Sequence, residues 1–169
     1  MPTAQLPHIP PGTRVLDPAG LGDHLDRLYR AASALCGSRE RAEDLVQDTY
    51  ARVLSRPRFL RGDDDLGYLL SVLRNTFISQ QRQARARPAL ATAYELDWIE
   101  DPKAPEPQEV AETRLVYEAI AALPPDFRDA LVAVDVAGLS YAEAARALGV
   151  PQGTLTSRLF RARDRLARR

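Results

Sequence analysis

Proline breaks the hydrogen-bond ladder inside a helix, so its placement limits where helices can run. Five of the thirteen prolines lie in the first 18 residues (Pro2, Pro7, Pro10, Pro11 and Pro18), and Pro88, Pro102, Pro105 and Pro107 form a second cluster. Outside these clusters apolar residues recur at helical spacing, and no alternating run is long enough for a useful strand. The order that follows is all-α: a flexible arm over 1–20, a small helical domain over 21–88, a linker over 89–107 and a second small helical domain over 108–169.

Charge sharpens the same division. The chain carries 23 basic and 23 acidic residues, a net charge of zero, which excludes a uniformly basic nucleic-acid binder. Residues 1–92 nevertheless carry +3, residues 93–113 carry −6 and residues 114–169 carry +3. Residues 71–92 hold Arg74, Arg82, Arg85 and Arg87 with no acid, and residues 146–169 hold seven Arg against Asp164. Two basic helical ends thus flank an acidic linker. Of the basic residues 22 are Arg and one is Lys; arginine suits bidentate contact with phosphate and guanine, although genome base composition also produces such a bias. The single cysteine, Cys36, cannot form an intramolecular disulfide. No apolar run is long enough to span a membrane and no signal peptide opens the chain, so a cytoplasmic protein without membrane insertion is expected.

The first domain is predicted to hold helices near 21–36, 39–55 and 66–86. The second of these buries Leu45, Val46, Thr49 and Val53 and turns Glu40, Asp44, Gln47, Asp48 and Ala51 outward. That face is either simply solvated or a dock for a basic partner. The third buries Leu66, Leu69, Leu73 and Phe77 and turns out Tyr68, Asn75, Ser79 and Arg82, with Arg74 and Arg85 at the flank. Amide, hydroxyl, guanidinium and aromatic groups of this kind read base edges, hold phosphates and stack on unpaired bases. A boundary tyrosine with solvated arginines remains the alternative. The loop Arg61–Gly62–Asp63–Asp64–Asp65 supplies the turn and cap before it.

The second domain is predicted to hold helices near 108–122, 125–137, 140–147 and 151–167. Ser140 with Glu143 fits a capping box, small Ala144 and Ala145 permit close helix approach, Gly149 makes the turn and Pro151 starts the last helix. This is the composition of a helix-turn-helix, with a plain helical hairpin as the alternative. In the last helix Leu155, Leu159, Ala162 and Leu166 face inward. Ser157, Phe160, Arg161 and Arg168 face outward, flanked by Thr154, Arg158, Thr156 and Arg163. A phenylalanine on the polar side has no folding purpose but can touch a thymine methyl. Asp164 is spaced to pair with Arg161 or Arg168.

The run GLSYAEAARALGVPQGTLTSRLFRARDRL, from Gly138 to Leu166, resembles the DNA-binding end of bacterial RNA polymerase sigma factors of the extracytoplasmic-function (ECF) group. RAEDLVQDTYARV (Arg41–Val53) resembles their polymerase-binding helix, and GYLLSVLRNTFISQQRQ (Gly67–Gln83) their promoter-melting helix. The resemblance covers about residues 21–88 and 108–168, in the family's order. It implies a region 2-like first domain and a region 4-like second domain. It implies that Glu43, Asp44, Gln47 and Asp48 face the β′ coiled coil of core RNA polymerase. It implies that Tyr68, Arg74, Asn75, Ser79 and Arg82 serve the minus-10 element, with a flipped base received by the loop at 60–65. It implies that Thr154, Thr156, Ser157, Arg158, Phe160 and Arg161 face the minus-35 element of promoter DNA. The acidic linker is then expected near the RNA exit path, and an anti-sigma protein is an expected partner. Three departures stand out: Tyr68 where the family usually has Trp, Gly62–Asp63 where it often has Gly–Gly, and Thr156 where a basic residue is common. The triple acid Asp63–Asp65 alters what that loop can read.

The competing reading is a stand-alone helix-turn-helix regulator, which leaves the acidic face and the Tyr68–Arg82 stripe without a role. An enzyme is not expected. His8 and His24 lie in the arm and at a helix start, and the sequence shows no metal cluster, phosphate loop, cofactor motif or nucleophile constellation. No regulation by a C-terminal extension is expected after residue 169. Cys36 reads as a buried small residue at a helix end, and Trp98 as a packing anchor of the linker.

Overall fold

The computed structural model describes residues 12–86 and 108–168. The outer arm with His8, the acidic linker with Trp98, and Arg169 lie outside the described residues. Two short strands, β1 (Arg14–Val15) and β2 (Phe59–Leu60), pair antiparallel. The helices are α1 (Leu25–Cys36), α2 (Arg39–Leu54), α3 (Asp65–Ala86), α4 (Gln108–Ala121), α5 (Pro125–Leu131), α6 (Tyr141–Leu148) and α7 (Gln152–Ala167). A 3₁₀ turn, Pro18–His24, leads into α1, and a π turn, Val132–Val136, extends α5.

Helix faces follow the apolar spacing. In α1 the buried residues include Leu28, Ala31, Ala32 and Leu35, one stripe at i, i+3, i+4 and i+7. Gly37 ends it in the left-handed region at φ 66°, and a Cβ there would press on Ala121 of α4 at 3.1 Å. In α2 the predicted Leu45, Val46, Thr49 and Val53 are buried, joined by Ala42. The Thr49 hydroxyl is satisfied by donating to Leu45 O at 2.7 Å. In α3 the buried set is Leu66, Gly67, Leu69, Leu70, Leu73, Thr76 and Phe77.

Two expectations are corrected. Residues 12–20 are tied down rather than part of an arm: β1 pairs with β2, and Leu16 N–H donates to Arg58 O at 2.8 Å. The helix expected over 125–137 loosens after Leu131 into wider hydrogen bonds, with Ala137 N–H reaching Val132 O at 2.8 Å. Arg27 of α1 caps the freed carbonyls, donating to Ala137 O at 2.7 Å and Gly138 O at 2.9 Å.

The two helical units pack against one another and share a continuous apolar core. α1 lies against α4 and the π turn, and α3 lies against α6. At this junction Arg128 and Asp129 of α5 are buried, at 6% and 5% exposure. Arg74 of α3 reaches across to them, its Nε donating to Asp129 Oδ2 at 2.5 Å. The Arg128 guanidinium lies 4.9 Å from the Phe77 ring centroid. Burial of these charges is tolerable because each finds an opposite charge or a π face.

Candidate nucleic-acid interface

The helix-turn-helix forms as its local chemistry requires. Ser140 Oγ accepts from Glu143 N–H at 3.3 Å, and Glu143 Oε2 accepts from Ser140 N–H at 2.8 Å, a complete capping box. Hydrogen bonding to the Ser140 side chain, and then to the Ser140 N–H, holds the Glu143 carboxyl below the usual glutamate range. α6 ends at Gly149, in the left-handed region at φ 66°, and Val150 N–H returns to Ala145 O at 3.0 Å. Pro151 stands one position before the first residue of α7 and offers its carbonyl to Leu155 N–H at 3.0 Å.

α7 buries Leu155, Leu159 and Ala162 against α5, α6 and the shared core, which fixes the opposite face outward. Phe160 is 72% exposed there, beside exposed Arg161, Thr156 and Ser157. The Thr156 and Ser157 hydroxyls donate back to Gln152 O and Thr154 O, both at 2.9 Å, leaving oxygen lone pairs outward. Thr154 is half-buried. Arg158 is also half-buried and meets Asp126 at 2.8 Å. Arg163 makes a forked contact with Asp135 at 3.0 and 2.7 Å. Asp164 chooses Arg168, at 2.9 Å, over Arg161.

The stripe on α3 divides. Asn75 and Arg82 are exposed, and Ser79 is half-exposed along the same face. Tyr68 packs its ring against the core. Arg74 is withdrawn from the stripe into the junction with Asp129. The loop before α3 is held by Asp64, which caps the helix by accepting from Gly67 N–H at 2.8 Å.

On α2 the acidic face is exposed as expected at Glu43, Asp44, Gln47 and Asp48. Arg39 pairs with Glu43 at 3.0 Å, and Gln80 of α3 donates to Asp48 Oδ2 at 2.8 Å. An apolar shoulder adjoins it: Leu25, 49% exposed, lines a groove with Tyr29, Val46, Glu43 and Gln47. Sequence reasoning missed this shoulder, because Leu25 falls at a helix start where periodicity says little. It also missed Arg14, Arg27 and Asp129, whose partners lie far along the chain. Asp129 gave no signal of burial, because apolar periodicity does not mark a buried acid.

Half-buried Cys36 ends α1, and burial pushes its thiol up to about 11, so it stays protonated at neutral pH. Among the described residues no His, Cys, Asp and Glu group is arranged to hold a metal ion. No helix among them is long and apolar enough to cross a membrane.

Residues 21–87 match the Sigma-70 region 2 family, and residues 113–166 match Sigma-70 region 4. The chain is 36% identical to the ECF RNA polymerase sigma factor EcfG of Rhodopseudomonas palustris, across 80% of this chain and 75% of that protein. The chain belongs to the ECF family of RNA polymerase sigma factors. This sigma factor is also 37% identical to the ECF sigma factor SigE of Mycolicibacterium smegmatis, over 93% of its own length and 66% of the relative's. Its fold matches the sigma factor RpoE, solved in complex with the anti-sigma factor NepR from Bartonella quintana. There the TM-score is 0.62 and the identity 30%, over 88% of this sigma factor and 92% of that chain. CnrH, solved with the cytosolic domain of CnrY, shares the fold at a TM-score of 0.60 and 21% identity, over 87% and 82% of the two chains.

Proposed function

We propose that this chain binds core RNA polymerase, recognises minus-35 and minus-10 promoter elements and promotes duplex opening. The observation that carries the reading is a phenylalanine, 72% exposed on the second helix of a capped helix-turn-helix, among hydroxyls and Arg161. Folding gains nothing from an aromatic in water, whereas a major groove offers it a thymine methyl. In this reading Thr154, Thr156, Ser157, Arg158, Phe160 and Arg161 face the minus-35 element. Asn75, Ser79 and Arg82, with Tyr68 beside them, face the minus-10 element. Glu43, Asp44, Gln47 and Asp48 dock on the β′ coiled coil, with Leu25 as apolar anchor. Opening needs no catalytic residue, since unpaired bases are trapped by stacking and hydrogen bonding.

The packed arrangement places a condition on this activity. The two elements, by their positions, lie about 25 base pairs apart, or about 85 Å along B-DNA. A compact chain of 169 residues has a radius of gyration of only about 15 Å. The two helical units therefore separate before both elements are read, and Arg74 leaves Asp129 to join the minus-10 surface. A linker over 89–107 can extend roughly 60 Å, enough for such a separation. An anti-sigma protein is a fitting partner, since the similar RpoE was solved in complex with the anti-sigma factor NepR.

Run-off transcription with purified core polymerase on a genomic library tests the proposal. Transcripts that require the chain and share two upstream elements are the expected result. Tight binding to a palindrome without polymerase would establish the stand-alone regulator instead.

A further inference from the structure

The loop Arg61–Asp65 carries three consecutive carboxylates, which by themselves would repel a phosphate backbone. One guanidinium from the start of the described chain answers two of them. In the β1–β2 ladder Arg14 lies opposite Leu60 and Val15 opposite Phe59, which delivers the Arg14 side chain over the loop that follows β2. Arg14 Nε donates to Gly62 O at 3.0 Å and to Asp63 Oδ1 at 3.1 Å, while its Nη2 binds Asp65 Oδ1. The third acid is engaged separately: Asp64 caps α3 through Gly67 N–H, and Arg146 lies 3.6 Å from its other oxygen.

No apolar packing fixes the tip of this loop, because the Asp63 side chain is 98% exposed. It is held instead by a backbone bond, Asp65 N–H to Asp63 O at 3.1 Å, and by the fork of Arg14, which joins a backbone carbonyl and two carboxylates in one contact. The hydrogen bond to Asp65 also raises the guanidinium further above its ordinary pKa, so the clamp is charged at every physiological pH.

We propose that Arg14 is a positioning residue for the promoter-reading loop. It holds residues 62–65 in one shape and cancels charge that would push single-stranded DNA away. The proposal rests on the reading that this loop faces promoter DNA. Arg14 itself need not touch a base.

The test uses holoenzyme reconstituted with the full chain carrying Arg14→Ala, Arg14→Lys, Asp63→Ala, or Arg14→Ala with Asp63→Asn. Three quantities are read: affinity for core polymerase, strand opening by permanganate reactivity, and base preference on promoters randomised across the minus-10 region. Arg14→Ala is expected to keep core affinity, to slow opening about fivefold, the size of one partly exposed ion-pair cluster, and to flatten base preference. Adding Asp63→Asn should restore opening but not preference, because charge returns to balance while the fork stays absent. Arg14→Lys should restore opening in part for the same reason. If Asp63→Ala changes base preference but Arg14→Ala does not, the role of Arg14 is overturned while the loop reading stands. If neither changes it, the loop reading fails and takes the proposal with it. If Arg14→Ala lowers core affinity and opening together, with no rescue by Lys or by Asp63→Asn, Arg14 is only a fold contact and the proposal is overturned.

Discussion

At the residue scale, the proposed function and folding separate most clearly at Phe160. Replacing it with Ala should leave stability within about 0.5 kcal/mol, because its side chain stands in solvent. Promoter affinity of the holoenzyme should fall on the order of tenfold, as for the loss of one good base contact. Thermal melting beside DNA-binding anisotropy checks both halves. Ser140 behaves in the opposite way. Ser140→Ala removes the cap of α6 and should cost about 1 kcal/mol by urea unfolding at neutral pH. The Ser140 side chain, followed by its N–H, also lowers the pKa of the Glu143 carboxyl in the folded chain. Its contribution is therefore full above the ordinary glutamate range and is lost as pH falls through the depressed folded value. Unfolding series at neutral and acid pH should show the gap between wild type and Ser140→Ala narrowing in acid. Both residues were legible in the sequence, one as an aromatic on a polar face and the other through Ser–x–x–Glu spacing.

At the scale of single elements, α2 and α7 carry their proposed roles on one face each. Asp44→Lys on α2 should leave the melting temperature almost unchanged, since the side chain is exposed and its helix is anchored by Leu45 and Val46. Core polymerase capture should fall about tenfold or more if a basic coiled coil docks there. The helices themselves were readable because apolar periodicity, glycine stops and proline breaks agree: α2 runs Arg39–Leu54 against an expected 39–55, and α7 Gln152–Ala167 against 151–167. The β1–β2 pair was not readable, since two residues on each side carry no alternation. The π turn was equally hidden. Its wide bonds depend on Arg27, a residue more than a hundred positions away whose guanidinium covers the exposed carbonyls.

At the scale of the whole molecule, the two sigma units are docked, and proline and charge patterns gave no sign of it. Such patterns report local chain preference, whereas the junction depends on Arg74 meeting Asp129 across 55 residues. Asp129→Ala leaves Arg74 and Arg128 without their carboxylate and should weaken the junction by about 2 kcal/mol. Faster hydrogen exchange along the facing turns of α3 and α6, with α2 unaffected, is the expected readout. The shared core has a further thermodynamic meaning. Under the proposed separation, open and docked chains form one equilibrium, and only the open fraction would span a promoter. The apparent dissociation constant for the promoter would then be the intrinsic one divided by that fraction. In that reading a polymerase that takes the open form and any regulator that prefers the docked form would oppose each other through this equilibrium alone, without sharing a single contact residue.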